Sequence, residues 1–285
     1  MPNIVRYNGD TARGPSPAIW GDLGKWQADN NRGHSILLFN DFVDAPVMAS
    51  ATNQGGFYTY QDTSCTVQPP AEVPDLGSAA NKAELGTLAI AQDGTDNDEC
   101  HVQLASSTAQ LFRIGNGSGN TAKVAFEARV RVNTIADTIS TFFVGMGTGA
   151  VADGYIVDAG TLITTKGFIG FQRFEDDGDK MDSIYQAATQ TQQSVEANVA
   201  TLVADTYIKL GFLYDPTQVD PDKKLKFFVD GVEAACTVST TNIDAATFPE
   251  DEALIPMILS KAAAGTASTI TADWVCAGSY VDSTE

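Results

Sequence analysis

The sequence predicts an all-β protein: a two-sheet antiparallel β-sandwich (jelly roll) with an extended N-terminal arm. Three observations predict it. Residues 122–132, AKVAFEARVRV, alternate strictly, with Val124, Phe126, Ala128, Val130 and Val132 on one side and Glu127, Arg129 and Arg131 on the other, the period-two pattern of a strand with one buried and one wetter face. Residues 224–238, KLKFFVDGVEAACTV, read as a hairpin turning at Asp230-Gly231, because a type I′ turn needs positive φ at both central residues and Asp-Gly supplies it. Finally, about a dozen short apolar runs separated by turn signals fill the chain, with little helical periodicity and no repeat, which favours a sandwich over a parallel α/β fold, a propeller or a β-helix.

The elements follow in order. ILLFNDF (36–42) and GFYTY (56–60) open the strand series, and QPPAEVPDLG (68–77) is a Pro-rich loop. GTLAIA (86–91) and HVQLAS (101–106) are strands around the acidic turn DGTDNDE (93–99), and AQLFRI (109–114) precedes the Gly-rich loop GNGSGN (115–120). After 122–132 come TFFVGMG (141–147), GYIVDAG (154–160), GFIGFQRF (167–174) and DSIYQAA (182–188), all read as strands. TQTQQSVEANVATLV (189–203) is the one segment read as a helical or irregular interruption. YIKLGFLYD (207–215) leads into the hairpin, and LIPMILS (254–260) and TITADWVCAGSY (269–280) complete the sheets, with Ile270, Ala272, Trp274 and Cys276 expected on one face.

Charge separates the arm from the body. The chain of 285 residues carries a net charge of −19. Residues 1–35 hold Arg6, Arg13, Lys25 and Arg32 against Asp10, Asp22 and Asp29, a net of +1, which leaves −20 for residues 36–285. Such an acidic body repels phosphate backbones, so direct nucleic-acid binding is not expected. No stretch approaches the ~18 apolar residues that span a bilayer, so no membrane partner is expected either. The sequence begins MPNIVRYNGD, without the apolar run of a secretory signal. Cys65, Cys100, Cys236 and Cys276 show no metal-ligand spacing and are expected to be free thiols. The arm is rich in Gly, Asn, Pro and Asp, with Trp20 and Trp26 set among them. Tryptophans in such a segment either fold back on the body or anchor into a partner.

The order LLFNDF, GTLAIA, FEARVRV, TFFVGMG, YIKLGFLYD, KLKFFVDGVEA and ITADWV resembles the concanavalin A-like lectin/glucanase jelly roll, in the laminin-G-like form found in bacteriophage virion proteins. The resemblance covers about residues 36–281 and divides the chain into an arm (1–35) and a concanavalin A-like β-sandwich domain (36–285). It implies sugar-binding lectins, glucanases or head- and tail-associated phage proteins as functional company, and fold alone does not choose among them.

The residues weigh these roles unequally. Glucanases of this fold place their acids in an E-x-D-x-x-E strand. Glu175 and Asp177 match its first two positions, but Lys180 stands at the third, so the carboxylate pair of a glycosidase is incomplete. Asp176, Asp177 and Asp179, with Asp182 nearby, and the turn 93–99 are weak calcium candidates through carboxylate oxygens; no cofactor is otherwise implied. His34 and His101, the only histidines, accompany no nucleophile motif. Tyr58, Tyr60 and Tyr155 are the candidate sugar-stacking aromatics.

The expectation is therefore a non-enzymatic virion structural protein. It would be a capsid decoration (cement) protein assembled in the host cytoplasm, homo-oligomeric, and bound to the major capsid protein or other virion proteins. The arm residues Arg6, Arg13, Trp20, Trp26 and Arg32 would be its anchors. The alternative is a lectin-like module that binds a glycan on a phage head or tail, and after it a glycoside hydrolase.

Overall fold

A computed structural model of the chain describes residues 13–21, 35–42, 53–54, 57–61, 65–68, 86–105, 111–115, 121–149, 154–158, 160–263 and 265–281. The described strands form two sheets. One has eight strands, in the order β15 (Val232–Glu233), β14 (Leu225–Val229), β13 (Ile208–Tyr214), β8 (Lys123–Val132), β17 (Ser268–Tyr280), β5 (Leu88–Gln92) and β4 (Thr66–Gln68), with β1 (Ser35–Asn40) also paired to β17. The other has nine, in the order β12 (Gln193–Thr201), β11 (Lys180–Gln186), β10 (Phe168–Arg173), β9 (Ser140–Gly147), β16 (Ala253–Ala262), β6 (Glu99–Gln103), β3 (Phe57–Gln61) and β2 (Asn53–Gln54), with β7 (Phe112–Arg113) also on β16. The strands pair antiparallel, β8 lying between β13 and β17 and β9 between β10 and β16.

The alternation read in β8 is realised. Val124, Phe126, Ala128 and Val130 are buried in the main core between the sheets, where they meet Phe212 and Leu210 of β13 and, across the sandwich, Val144, Met146 and Phe171. Phe126 stacks on Phe212 at 5.8 Å, and Phe171 meets Phe227 edge-on at 5.4 Å. Each such ring removes enough apolar surface from water to contribute about 1.5–3 kcal/mol, so this layer holds the two sheets together. The turn at Asp230-Gly231 has φ of 51° and 77°, the doubly positive geometry that closes a two-residue hairpin, and Val229 faces Val232 across it. The four cysteines are free and buried.

Three segments depart from the sequence reading. Residues 193–201 form an edge strand, β12, and not a helical interruption. Its exposed positions need no apolar alternation, and its register on β11 shifts between Met181 and Ile184, a bulge of the kind that blunts an open sheet edge. In β17 the expected face breaks at Asp273. Ile270 and Ala272 enter the main core, but a bulge between Ala272 and Trp274 reverses the phase, so Trp274 and Cys276 lie on the outer side of the eight-stranded sheet. Among the described residues of 154–160 there is no strand; 155–158 and 160–163 form the two sides of a flap joined by an Ile156–Leu162 bridge.

Candidate functional site

The outer face of the nine-stranded sheet carries polar side chains at alternate positions. On β6 these are Glu99, His101 and Gln103, interleaved with Cys100 and Val102, which enter the core. The neighbouring β3 places Tyr58 opposite Gln103 and Tyr60 opposite His101. Tyr60 stacks on the His101 ring at 5.2 Å, Tyr155 of the flap meets that ring edge-on at 4.9 Å, and His101 Nδ1 lies 3.5 Å from Glu99 Oε1. Gln103 Nε2 lies 3.0 Å from His101 Nε2 and donates to the Tyr155 hydroxyl. Tyr58 and Tyr60 are half-buried, whereas His101 and Tyr155 are fully enclosed.

The centre of this face is filled by the flap. Glu99 accepts from the backbone N–H groups of Tyr155 and Ile156 at 2.7 and 3.0 Å. Lys261 donates to the Ile156 carbonyl, Gln172 to Gly160, and Gln186 to both Ile163 and Lys166. Gln192 accepts from Leu162 N–H and donates to Gln172 Oε1. Beneath these bonds Ile156 and Leu162 pack into a second apolar cluster with Phe143, Phe168, Met257 and Leu259. Gly145 and Gly170 face each other on β9 and β10. A Cβ on either would meet backbone within 2.4 Å and the Phe143 ring within 3.0 Å, so the missing side chains make room for the tip of that ring. A polar face built to be wet is thus covered by the chain itself, leaving the β3 border, with Tyr58 and Tyr60, at the surface.

The two buried carboxylates of this face stand far apart. Glu99 and Asp182 are buried carboxylates on β6 and β11, and β16, β9 and β10 run between their strands. Four interstrand spacings put them ~19 Å apart, beyond the ~9.5 Å that the widest catalytic carboxylate pairs span. Glu175, Asp176, Asp177 and Asp179 lie in the turn from β10 to β11, not on the face. Arg173 behind that turn donates to the carbonyls of Ala136 and Ser140, closing the loop ends. Burial, then Asp182 and Asp176, raises the Asp177 carboxyl above its ordinary range, and Asp179 pairs with Lys180 at 3.2 Å. Among the described residues no three potential ligands gather into a metal site.

The arm residues separate. Trp20 is 1% exposed, folded onto the outer face of the eight-stranded sheet, so it anchors within its own chain. It ends α1 (Pro17–Trp20), a single turn in a strap of residues 13–21. Arg13 is exposed, while its carbonyl accepts from Trp274 Nε1 at 2.6 Å. Arg6, Trp26, Arg32 and His34 lie outside the described residues.

No protein-family model and no curated protein matches the chain. Solved structures do. Peanut lectin, solved with a nine-residue peptide, superposes with a TM-score of 0.52 at 14% identity, over 88% of this chain and 99% of the lectin. The fold is the concanavalin A-like jelly roll. An endo-1,3-β-glucanase from Streptomyces sioyaensis gives a TM-score of 0.51 at 14% identity, over 87% of this chain and 98% of the enzyme. A protein of unknown function from Shewanella oneidensis gives 0.54 at 13% identity, over 88% and 89%. At these identities the likeness is one of fold, and the function is argued from the residues.

Sequence reading missed the site's centre. It began the strand at His101 and so overlooked the polar alternation Glu99-His101-Gln103, which was the available signal. Gln172, Gln186 and Gln192 gave none, because their common role exists only once the flap is laid across them.

Proposed function

We propose that the chain is a non-enzymatic carbohydrate-binding β-sandwich that takes a glycan on the β3 border of the nine-stranded sheet. The observation that carries this reading is the pair Tyr58 and Tyr60, two half-buried rings on one face of one strand, set beside the Gln103 and His101 side chains. A pyranose offers an apolar C–H face that packs on an aromatic ring, and Tyr58 and Tyr60 are the rings of this face that stay partly at the surface. Because Tyr60 is held by its stack on His101, little side-chain freedom is lost on binding. The shared fold with peanut lectin is in keeping with this reading, and the ~19 Å separation of the buried acids on that face argues against hydrolysis.

A glycan array probed with the purified full chain tests it, with a reducing-sugar assay on laminarin alongside. The expected result is retention of at least one glycan, lost in Tyr58→Ala and Tyr60→Ala, with no sugar released. Absence of any ligand, or binding unchanged in both variants, sinks the reading; release of sugar that Glu99→Gln abolishes returns the chain to the hydrolases.

The capsid-decoration reading rests on the sequence resemblance, with the sandwich as its platform. Of its proposed arm anchors Trp20 is buried on its own chain, and co-sedimentation with shells that lack the chain tests a capsid partner.

A further inference from the structure

The strap sits in a socket formed by β8, β13, β17 and the β14–β15 turn, and the socket reads the strap in detail. Glu127 of β8 lies at its centre. It accepts from Ser16 N–H at 2.8 Å, from the Ser16 hydroxyl at 2.5 Å and from Trp20 Nε1 at 2.9 Å. Lys209 of β13 donates to Ser16 Oγ at 2.8 Å and to the Gly14 carbonyl, and Trp274 holds the Arg13 carbonyl. The floor is cut to fit. A Cβ on Gly211 would stand 2.6 Å from Ile19 Cδ1, and one on Gly231 would stand 2.6 Å from Ser16 Oγ. Ala125 and Cys276 complete the small-residue floor under Ile19 and Trp20. Shape and hydrogen bonding together specify the sequence Ser-Pro-Ala-Ile-Trp (16–20).

Two features mark this as a docking contact and not permanent core. A permanent cover over a sheet is more stable when both sides are apolar, because buried ions lose hydration that their pairing rarely repays in full. Here the centre is a carboxylate and an ammonium on the outer side of a sheet, groups that water satisfies when the strap is away. Second, 13 residues, 22–34, separate the strap from β1, enough chain to span up to ~45 Å. The contacts named above are made by residues 13–20 alone, so they are indifferent to which copy carries the strap.

We propose that the socket is a docking site for the strap of a second copy of this chain, so that two molecules exchange straps. Exchange preserves every contact named above in both copies and adds only the cost of association, the usual economy of swapped dimers. At low concentration the tether favours the copy's own strap; at high local concentration, where neighbouring chains rival the effective concentration of the tether, the straps cross.

Complementation with full-length chains tests this. Trp20→Ala has an intact socket and a disabled strap. Glu127→Lys has an intact strap and a socket in which a second cation faces Lys209 and the donors of Ser16 and Trp20. Sedimentation velocity is expected to show each variant alone as a monomer and the equimolar mixture as a one-to-one complex of twice the mass. A peptide spanning residues 12–22 is expected to dissolve that complex and to bind the Trp20→Ala chain. A mixture that stays monomeric, with no peptide binding, overturns the proposal. Should either variant fail to fold, isotope-labelled and unlabelled wild-type chains are mixed at millimolar concentration and examined by native mass spectrometry. Dimers of mixed mass are expected, and their absence overturns exchange. None of these readouts involves a glycan, so their failure leaves the Tyr58–Tyr60 site untouched.

Discussion

The indole Nε1 of Trp20 donates to Glu127 Oε2 at 2.9 Å across 107 residues of sequence. This bond ties the arm to the face of β8 that the sequence marks as wet, and it explains why an acid stands there. Glu127 is 0% exposed, yet each of its hydrogen-bond donors named above comes from the strap, so the residue is buried only while the strap is in place.

Trp20→Ala is expected to free the strap while leaving the sandwich folded. Truncating a buried tryptophan costs ~3–5 kcal/mol when the cavity cannot close. A strap that detaches as a unit limits the global loss to about 1–2 kcal/mol. Hydrogen exchange should show residues 13–21 unprotected, trypsin should cut after Arg13, and β8 should stay protected; loss of β8 protection would mean that the strap is part of the core.

Acid should favour the docked strap. Burial pushes the Glu127 carboxyl above its ordinary 4.5, and Ser16, Trp20 and Lys209 pull it back only in part. A carboxyl raised in the folded state contributes stability that is present below the unfolded value and is lost as pH rises through the folded one. Urea unfolding of wild type and Glu127→Gln between pH 4 and 7 should therefore show the wild type losing stability relative to the variant as pH rises above 4.5. A difference independent of pH would refute this sign.

The flap depends on Glu99. Its carboxylate accepts two backbone N–H groups, Tyr155 and Ile156, and bonds to a charged acceptor contribute about 1.5–3 kcal/mol each. Glu99→Ala is expected to lower stability by about 2–4 kcal/mol and to open the chain to trypsin at Lys166. Unchanged proteolysis would place the flap's hold in the Phe143–Phe168–Leu162 cluster instead.

Gly145→Ala tests the room left for the Phe143 ring. Its Cβ would fall 2.3 Å from the Ile169 carbonyl and 2.7 Å from the Phe143 ring. Overpacking of this kind costs about 1–3 kcal/mol. A fall in Tm of several degrees is expected, and an unshifted Tm would show that β9 and β10 can part.

Tyr60→Ala should weaken glycan binding at least tenfold, ~1.4 kcal/mol, while thermal stability moves less than in Gly145→Ala. Because Tyr60 also rests on His101, Tyr60→Phe serves as the control: it keeps the ring and should keep the binding.

The sequence by itself determined the sandwich, because burial on one side of a sheet writes itself into alternate residues, as Val124 to Val132 show, and because Asp230-Gly231 can close a hairpin without help. It misread β12, where an edge strand has no buried partner to enforce a pattern, and it misread β17 beyond Asp273, where one extra residue reversed the phase. Only the tertiary structure decided which wet faces stay wet. Glu127 and Glu99 are both polar residues on outward positions, and both are buried by segments distant in sequence, the strap at 13–21 and the flap around Tyr155 and Ile156. The physical reason is that alternation records the side of a sheet on which a residue stands, whereas the cover laid over that side depends on where loops return, and that is set by long-range hydrogen bonds and packing that no local period encodes.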